Sequence, residues 1–110
     1  TATTEIYTLS LHDALPNSFA GTDLGSRLAA IGRKNLIVGG FMTHMCVSAT
    51  VRAATDQGFM STIAADTVAT RDLPDAMGGD TISADAINRI TLAALSDRFA
   101  WIVPSARQIV

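Results

Sequence analysis

The sequence predicts an α/β protein, a three-layer α/β/α sandwich in which a parallel sheet has helices on both faces. Helical and strand-like periodicities alternate from about residue 22 to residue 103. The strand-like segments are continuous apolar runs, which are typical of parallel strands buried on both faces. Alternating strands and helices are typical of parallel sheets.

The first predicted helix begins after Gly21 or Thr22, either of which can cap it. Its apolar face repeats at helical spacing, and Gly32 lies where a helix ends in the left-handed conformation. The apolar residues are Leu24, Leu28 and Ile31. A strand is then expected from Asn35 to Gly39.

The second helix is predicted from its apolar spacing after a glycine turn, and it ends near Gly58. Its buried positions are Val47, Thr50, Val51 and Ala54. A strand over Phe59–Ala65 follows. Asp66, which precedes a threonine at the end of that strand, is expected to form an Asx turn, and Arg52 is expected to form a structural ion pair on the helix.

Residues 67–81 have no clean period, so a loop with a short helix is expected there. Ser83 is predicted to cap the third helix. The expected buried stripe of this helix is Ile87, Ile90, Ala94 and Leu95. A last strand, Trp101–Val103, is stopped by Pro104.

Composition restricts the class of protein. The 110 residues suffice for one small domain, and 48% apolar with 16% charged residues suffices for a core. A single cysteine fits a reducing compartment, and no apolar run approaches the ~20 residues that span a bilayer. A net charge of −2 without a basic patch argues against nucleic acid. We therefore expect a soluble, cytoplasmic protein that binds neither nucleic acid nor a membrane.

Cys46 is the only cysteine and the strongest candidate for a catalytic residue. It follows Gly39 and Gly40 and lies on the first turn of the second predicted helix, at the edge where parallel sheets bind ligands. The N–H groups of a helix N-terminus favour a thiolate. Because a lone cysteine is also a common small buried residue, placement alone leaves a structural role open.

An ordered pattern around this cysteine resembles the isochorismatase-like cysteine hydrolases. The residues that carry the resemblance are Ser18-Phe19-Ala20-Gly21-Thr22-Asp23-Leu24, the pair Gly39-Gly40, Thr43-x-x-Cys46-Val47-x-x-Thr50-x-Arg52-x-Ala54-x-x-x-Gly58-Phe59, Ala65-Asp66-Thr67 and Leu92-Ala93-x-Leu95-x-Asp97-Arg98-Phe99-Ala100. It runs from about residue 17 to residue 103 and is specific to the superfamily but not to one substrate. It implies a Rossmann-like fold that is truncated at its N-terminus, so that residues 17–110 form the C-terminal part of the domain.

The resemblance also implies a mechanism and a set of site residues. Cys46 would be the nucleophile that forms a thioester, and the protein of which this chain is a fragment would cleave an amide-type carbon–nitrogen bond. A cis peptide bond after Phe41 would direct the N–H groups of Met42 and Cys46 into an oxyanion hole. Phe41, Thr43 and His44 would contact the substrate. The full-length protein would form a homo-oligomer.

Two groups that the resemblance implies are missing from matching positions. Amide-hydrolysing members use an aspartate near the first strand and a lysine before the second helix. The aspartate-bearing strand is absent, and Asp13 stands where the lysine is expected. A negative charge there would oppose a thiolate. The chain by itself is therefore expected to be inactive.

Residues 1–16 resemble a translated sequencing-adapter sequence, so they are expected to be non-native and to pack poorly. His12, in this segment, is given no role.

No cofactor or metal is expected, because the two histidines and one cysteine lack ligand spacing and no phosphate-binding glycine motif occurs. One alternative is a catalytically silent relative that serves as a binding or assembly module. Another, a flavodoxin-like receiver or nucleotide-binding domain, would need an acidic cluster or a phosphate loop.

Overall fold

The computed structural model describes residues 17–109, which contain three helices, five strands and three short helical turns. The predictions for residues 1–16 lie outside this range. The helices are α1 (Leu24–Ile31), α2 (Ser48–Asp56) and α3 (Ala84–Arg98). The strands are β1 (Asn35–Ile37), β2 (Gly40–Phe41), β3 (Met60–Ala64), β4 (Val68–Ala69) and β5 (Ala100–Val103). A π-helical turn covers Thr43–Val47, and 3₁₀ turns cover Ala65–Thr67 and Ala106–Gln108.

The main sheet is parallel, with strand order β1-β3-β5, which confirms the predicted α/β class. Helix α2 connects β1 to β3, and helix α3 connects β3 to β5. Parallel neighbours require such crossovers because the chain must return to the same end of the sheet before it adds a strand. Strands β2 and β4 form a second, two-stranded parallel ribbon.

The core lies between one face of this sheet and the helices. One cluster of buried residues contains Val47, Val51, Ile63, Val68, Leu92 and Leu95. A second contains Phe19, Leu28, Ala54 and Phe59. Helix α2 contributes to both clusters, so it is the element that joins α1 and α3 into one core.

Two predicted helix ends are confirmed. Gly32 has φ 79°, and its N–H bonds to the carbonyls of Leu28 and Ala29 at the end of α1. At the start of α3, the Ser83 hydroxyl accepts a hydrogen bond from the Ala86 N–H over 3.1 Å.

Two other predictions are wrong. The buried stripe of α3 contains Leu92 and Leu95, whereas Ile90 is 66% exposed and Ala94 is also exposed. Packing against the sheet therefore buries a stripe of α3 that is rotated from the predicted one. Residues 68–82 contain β4 and an antiparallel bridge between Leu73 and Ile82 instead of a short helix.

The opposite face of the main sheet is exposed. Because side chains alternate along a strand, the register places Ile37, Met60 and Trp101 on the face away from the helices. These side chains are 51%, 53% and 67% exposed. The second helical layer of the predicted sandwich is therefore not found among residues 17–109. Within the same residues, no helix is long and apolar enough to cross a membrane.

This exposed face predicts self-association of the chain. Each large apolar side chain left in water forgoes roughly 1.5–3 kcal/mol, and exposed apolar patches favour association. We expect the chain to sediment as an oligomer or aggregate. The paired substitution Ile37→Thr and Trp101→Thr should shift it towards monomer.

Ile90→Thr is the matched control, because Ile90 is as exposed as Trp101 but lies on α3. It should leave the sedimentation profile unchanged. A monodisperse monomer with a sharp, high-temperature melting transition for the unsubstituted chain would contradict this prediction.

Candidate functional site

The candidate site is built from the segment between β1 and α2 and the segment after β3. The β2–β4 ribbon joins them, with Gly40 beside Val68 and Phe41 beside Ala69. Both segments leave the carboxyl ends of parallel strands, which is the edge where open α/β sheets bind ligands. The ribbon thus fixes the loop that precedes Cys46 against the neighbouring loop.

Glycine is favoured at positions 39 and 40 for two different structural reasons. Gly40 has φ 126°, a conformation that is unfavourable for residues with a side chain. Gly39 lies against Thr67, and a Cβ at this position would come within 3.1 Å of Oγ1 and 3.2 Å of Cβ. Since the Thr67 hydroxyl donates to the Ala64 carbonyl over 2.7 Å, Thr67 is held in place and the close approach favours glycine.

The peptide bond between Phe41 and Met42 is cis. The Phe41 side chain is 73% exposed, and Met42 is half-buried. The Met42 carbonyl accepts hydrogen bonds from the N–H groups of Met45 (3.0 Å) and Val47 (3.3 Å). These bonds form the π-helical turn, and they come from the residues on either side of Cys46.

Cys46 is a half-buried free thiol in this turn, which continues directly into α2. The next residue, Val47, is buried in the core, as is Val51 one turn later. The cysteine therefore lies on the first turn of a helix whose position is fixed by the core, as the sequence predicts. Its partial exposure leaves it accessible to a small molecule.

Thr43 and His44 are each held by a distant residue. Thr43 is fully buried, and its hydroxyl donates to Asn88 Oδ1 on α3 over 2.5 Å. The His44 ring is half-buried, and its Nδ1 lies 2.6 Å from the Thr70 hydroxyl. The Thr43 hydroxyl thus faces α3, while Phe41 and His44 are the predicted substrate contacts that retain exposed surface.

Sequence reasoning missed Asn88, although a signal was present. Asn88 lies four residues before Leu92 and seven before Leu95, so helical spacing places it on the buried stripe of α3. A polar residue on a buried stripe requires a hydrogen-bond partner. The partner, Thr43, is 45 residues away, and a single sequence does not reveal it.

Asp66 and Arg52 have structural contacts that differ from those predicted. Instead of forming an Asx turn, Asp66 Oδ1 accepts a hydrogen bond from the Ala106 N–H over 2.9 Å. Arg52 stacks its guanidinium 4.5 Å from the ring centroid of Phe99, and it forms no ion pair with any residue from 17 to 109.

Residues 17–109 contain no group of three or more His, Cys, Asp or Glu side chains that could hold a metal ion.

A cavity of about 280 Å³ lies near the amino ends of β3 and β5. Its lining includes Ser61, whose buried hydroxyl has no hydrogen-bond partner. None of the predicted site residues lines this cavity.

Comparisons with known proteins agree with this fold. A family model described as the isochorismatase domain matches residues 11–106. The isochorismatase family protein YddQ of Bacillus subtilis is 36% identical over 88 residues, which are 80% of this chain and 48% of YddQ. The chain thus spans about half the length of the curated relatives that it matches.

Solved structures give the same result. An isochorismatase from Pseudomonas putida KT2440 superposes with a TM-score of 0.80 and 42% identity, covering 86% of this chain and 48% of that protein. A cysteine hydrolase from Pseudomonas syringae pv. phaseolicola 1448A gives a TM-score of 0.74 and 29% identity, covering 79% and 40%.

The Asp66 contact predicts a structural role for this carboxylate. Asp66→Ala should lower the free energy of unfolding by about 1 kcal/mol, because the Ala106 N–H loses its acceptor. Asp66→Asn keeps an Oδ1 acceptor and should lose less. Urea unfolding of the two variants measures the difference, and equal losses would show that the hydrogen bond does not stabilise the fold.

Proposed function

Because this chain belongs to the isochorismatase family, we propose that the whole protein hydrolyses an amide-type carbon–nitrogen bond of a small molecule, with Cys46 as the nucleophile. The observation that carries the proposal is the placement of the only cysteine of the sequence. Cys46 is half-buried on the first turn of a core helix, at the ligand-binding edge of the sheet. The matched cysteine hydrolase from Pseudomonas syringae is consistent with this chemistry.

The proposed reaction has two steps. The Cys46 thiol gives up its proton and attacks the carbonyl carbon as the thiolate, a carbon–sulfur bond forms, and the carbon–nitrogen bond breaks as the amine leaves with that proton. Water then attacks the thioester, which releases the carboxylic acid and restores the thiol. The reaction consumes one water and one amide, and it requires no redox partner.

We propose that the N–H groups of Met42 and Cys46 stabilise the oxyanion that forms in each step. The Met42 carbonyl takes its hydrogen bonds from Met45 and Val47. These two bonds hold the turn in which the Cys46 N–H lies.

Phe41 and His44 are the proposed substrate contacts. Phe41 presents an exposed ring from β2, which suits a flat or apolar part of a substrate. The His44 ring is oriented by its Nδ1 contact with Thr70, so one face of the loop presents an imidazole in a fixed position. Thr43 acts through the loop, since its buried hydroxyl is bound to Asn88.

Replacement of Cys46 tests the proposal in the whole protein. Cys46→Ser and Cys46→Ala should each lower kcat for carboxamide hydrolysis by a factor on the order of 10⁴ or more, because a lost nucleophile removes the covalent path. Release of amine and acid is measured. Ser48→Ala, two residues along the same helix, is the control and should retain activity.

Circular dichroism should show that all three variants remain folded. Undiminished hydrolysis in Cys46→Ala would refute the proposed nucleophile. Tight binding of a small molecule with no turnover in any variant would instead favour a catalytically silent binding module.

For the 110-residue chain alone, we expect thiol reactivity without amide hydrolysis. It lacks the aspartate and lysine that the family resemblance implies, so amide turnover should fall below detection. Iodoacetamide should still add one equivalent, at Cys46, because no other thiol is present. Mass spectrometry and an ammonia assay measure the two outcomes, and efficient hydrolysis of a carboxamide by this chain would contradict the prediction.

A further inference from the structure

The first turn of the Cys46 helix is connected to α3 by a hydrogen bond between a buried side chain, Thr43, and a half-buried one, Asn88. Thr43, which begins the π-helical turn, is fully buried and donates its hydroxyl to Asn88 Oδ1 over 2.5 Å. We propose that Asn88 is a positioning residue that fixes Cys46 through Thr43. The proposal rests on the proposed function for its catalytic meaning, although the contact and its effect on the thiol can be measured without turnover.

Burial makes this contact specific. A hydroxyl and an amide removed from water each cost free energy unless they are hydrogen-bonded. Apolar side chains of similar size would satisfy packing alone at this place. A polar pair on the buried stripe of α3 instead favours the one arrangement in which donor and acceptor meet, so it fixes the position of the turn relative to α3.

The backbone of the π-helical turn connects Thr43 to Cys46. Its hydroxyl is held by α3, and its carbonyl accepts a hydrogen bond from the Ser48 N–H at the other end of the turn. Cys46 lies between these two points along the chain. A shift of Thr43 would therefore move both the thiol and the N–H groups around it.

The other end of the contact is rigid. Asn88 lies on the same stripe of α3 as Leu92 and Leu95, which pack with Val47 and Val51 of the Cys46 helix in one core cluster. Helix α3 thus contacts the Cys46 helix twice, through an apolar cluster and through the Thr43–Asn88 hydrogen bond. The apolar cluster holds the helices together, and the hydrogen bond sets the position of the first turn.

The test measures the rate of iodoacetamide addition to Cys46 at fixed pH in the 110-residue chain. Thr43→Val removes the hydroxyl at constant shape, and Asn88→Leu removes the acceptor. Each should lower the rate by about threefold to tenfold, as expected for one hydrogen bond. Thr43→Ser keeps the hydroxyl and should restore the rate to within about twofold.

The double variant measures whether the effects of the two substitutions on the alkylation rate are coupled. If the two residues act as one unit, Thr43→Val with Asn88→Leu should be no slower than the worse single variant. Leu28→Val is the stability control, since it trims a buried residue of α1 in the second core cluster, which does not contain Val47 or Val51. It should lower the melting temperature and leave the alkylation rate unchanged.

Two outcomes would overturn the proposal. Thr43→Val and Asn88→Leu could lower the melting temperature as Leu28→Val does without changing the alkylation rate, or their effects on the rate could multiply. In the whole protein the same two variants should lower kcat for hydrolysis with little change in KM. If no form of the whole protein hydrolyses carboxamides while the alkylation effects persist, the proposed function fails and the positioning role of Asn88 stands.

Discussion

The burial of α2 is the constraint on which the fold and the site both depend. Val51 and Ala54 have no exposed surface, and they belong to the two different core clusters. A substitution that left a cavity at either position would lower the free energy of unfolding by roughly as much as the loss of a few hydrogen bonds. Because the turn that contains Cys46 continues into this helix without a break, the position of the thiol follows from the packing of the core.

The second requirement is that two loops meet at one edge of the sheet. Parallel strands bring the segments after β1 and β3 to the same end, and the β2–β4 ribbon then joins them. Gly39 permits the close approach of Thr67, and the Thr70 hydroxyl reaches His44. The site is therefore assembled from short contacts between segments about 25 residues apart in the chain.

The features that the sequence predicts correctly depend on local chemistry. Gly32 ends α1 and Ser83 caps α3 through groups within a few residues. The stripe of α3 was misplaced because the run from residue 90 to residue 95 is apolar on several faces, so periodicity alone cannot choose between Ile90 and Leu92. Packing against the sheet determines which of these two residues is buried.

The missed features depend on distant partners or on very short elements. Two-residue strands such as β4 have no readable period. The contacts of Thr43 with Asn88 and of Asp66 with Ala106 span 45 and 40 residues. Each could be suspected only as a polar group in need of a partner.

The position of Cys46, the proposed nucleophile, depends on a short segment of the chain. The segment from β1 to β5 consists of two consecutive strand-helix-strand units, each of which is local in sequence. The chain superposes on the Pseudomonas putida isochorismatase with a TM-score of 0.80 over 86% of its own length and 48% of that protein. The same units bury one face of the sheet and place Cys46 on its helix. The contacts that hold the turn around the thiol therefore lie within a unit whose other sheet face exposes Ile37 and Trp101. The position of the thiol thus depends on the core cluster that α2 and α3 share.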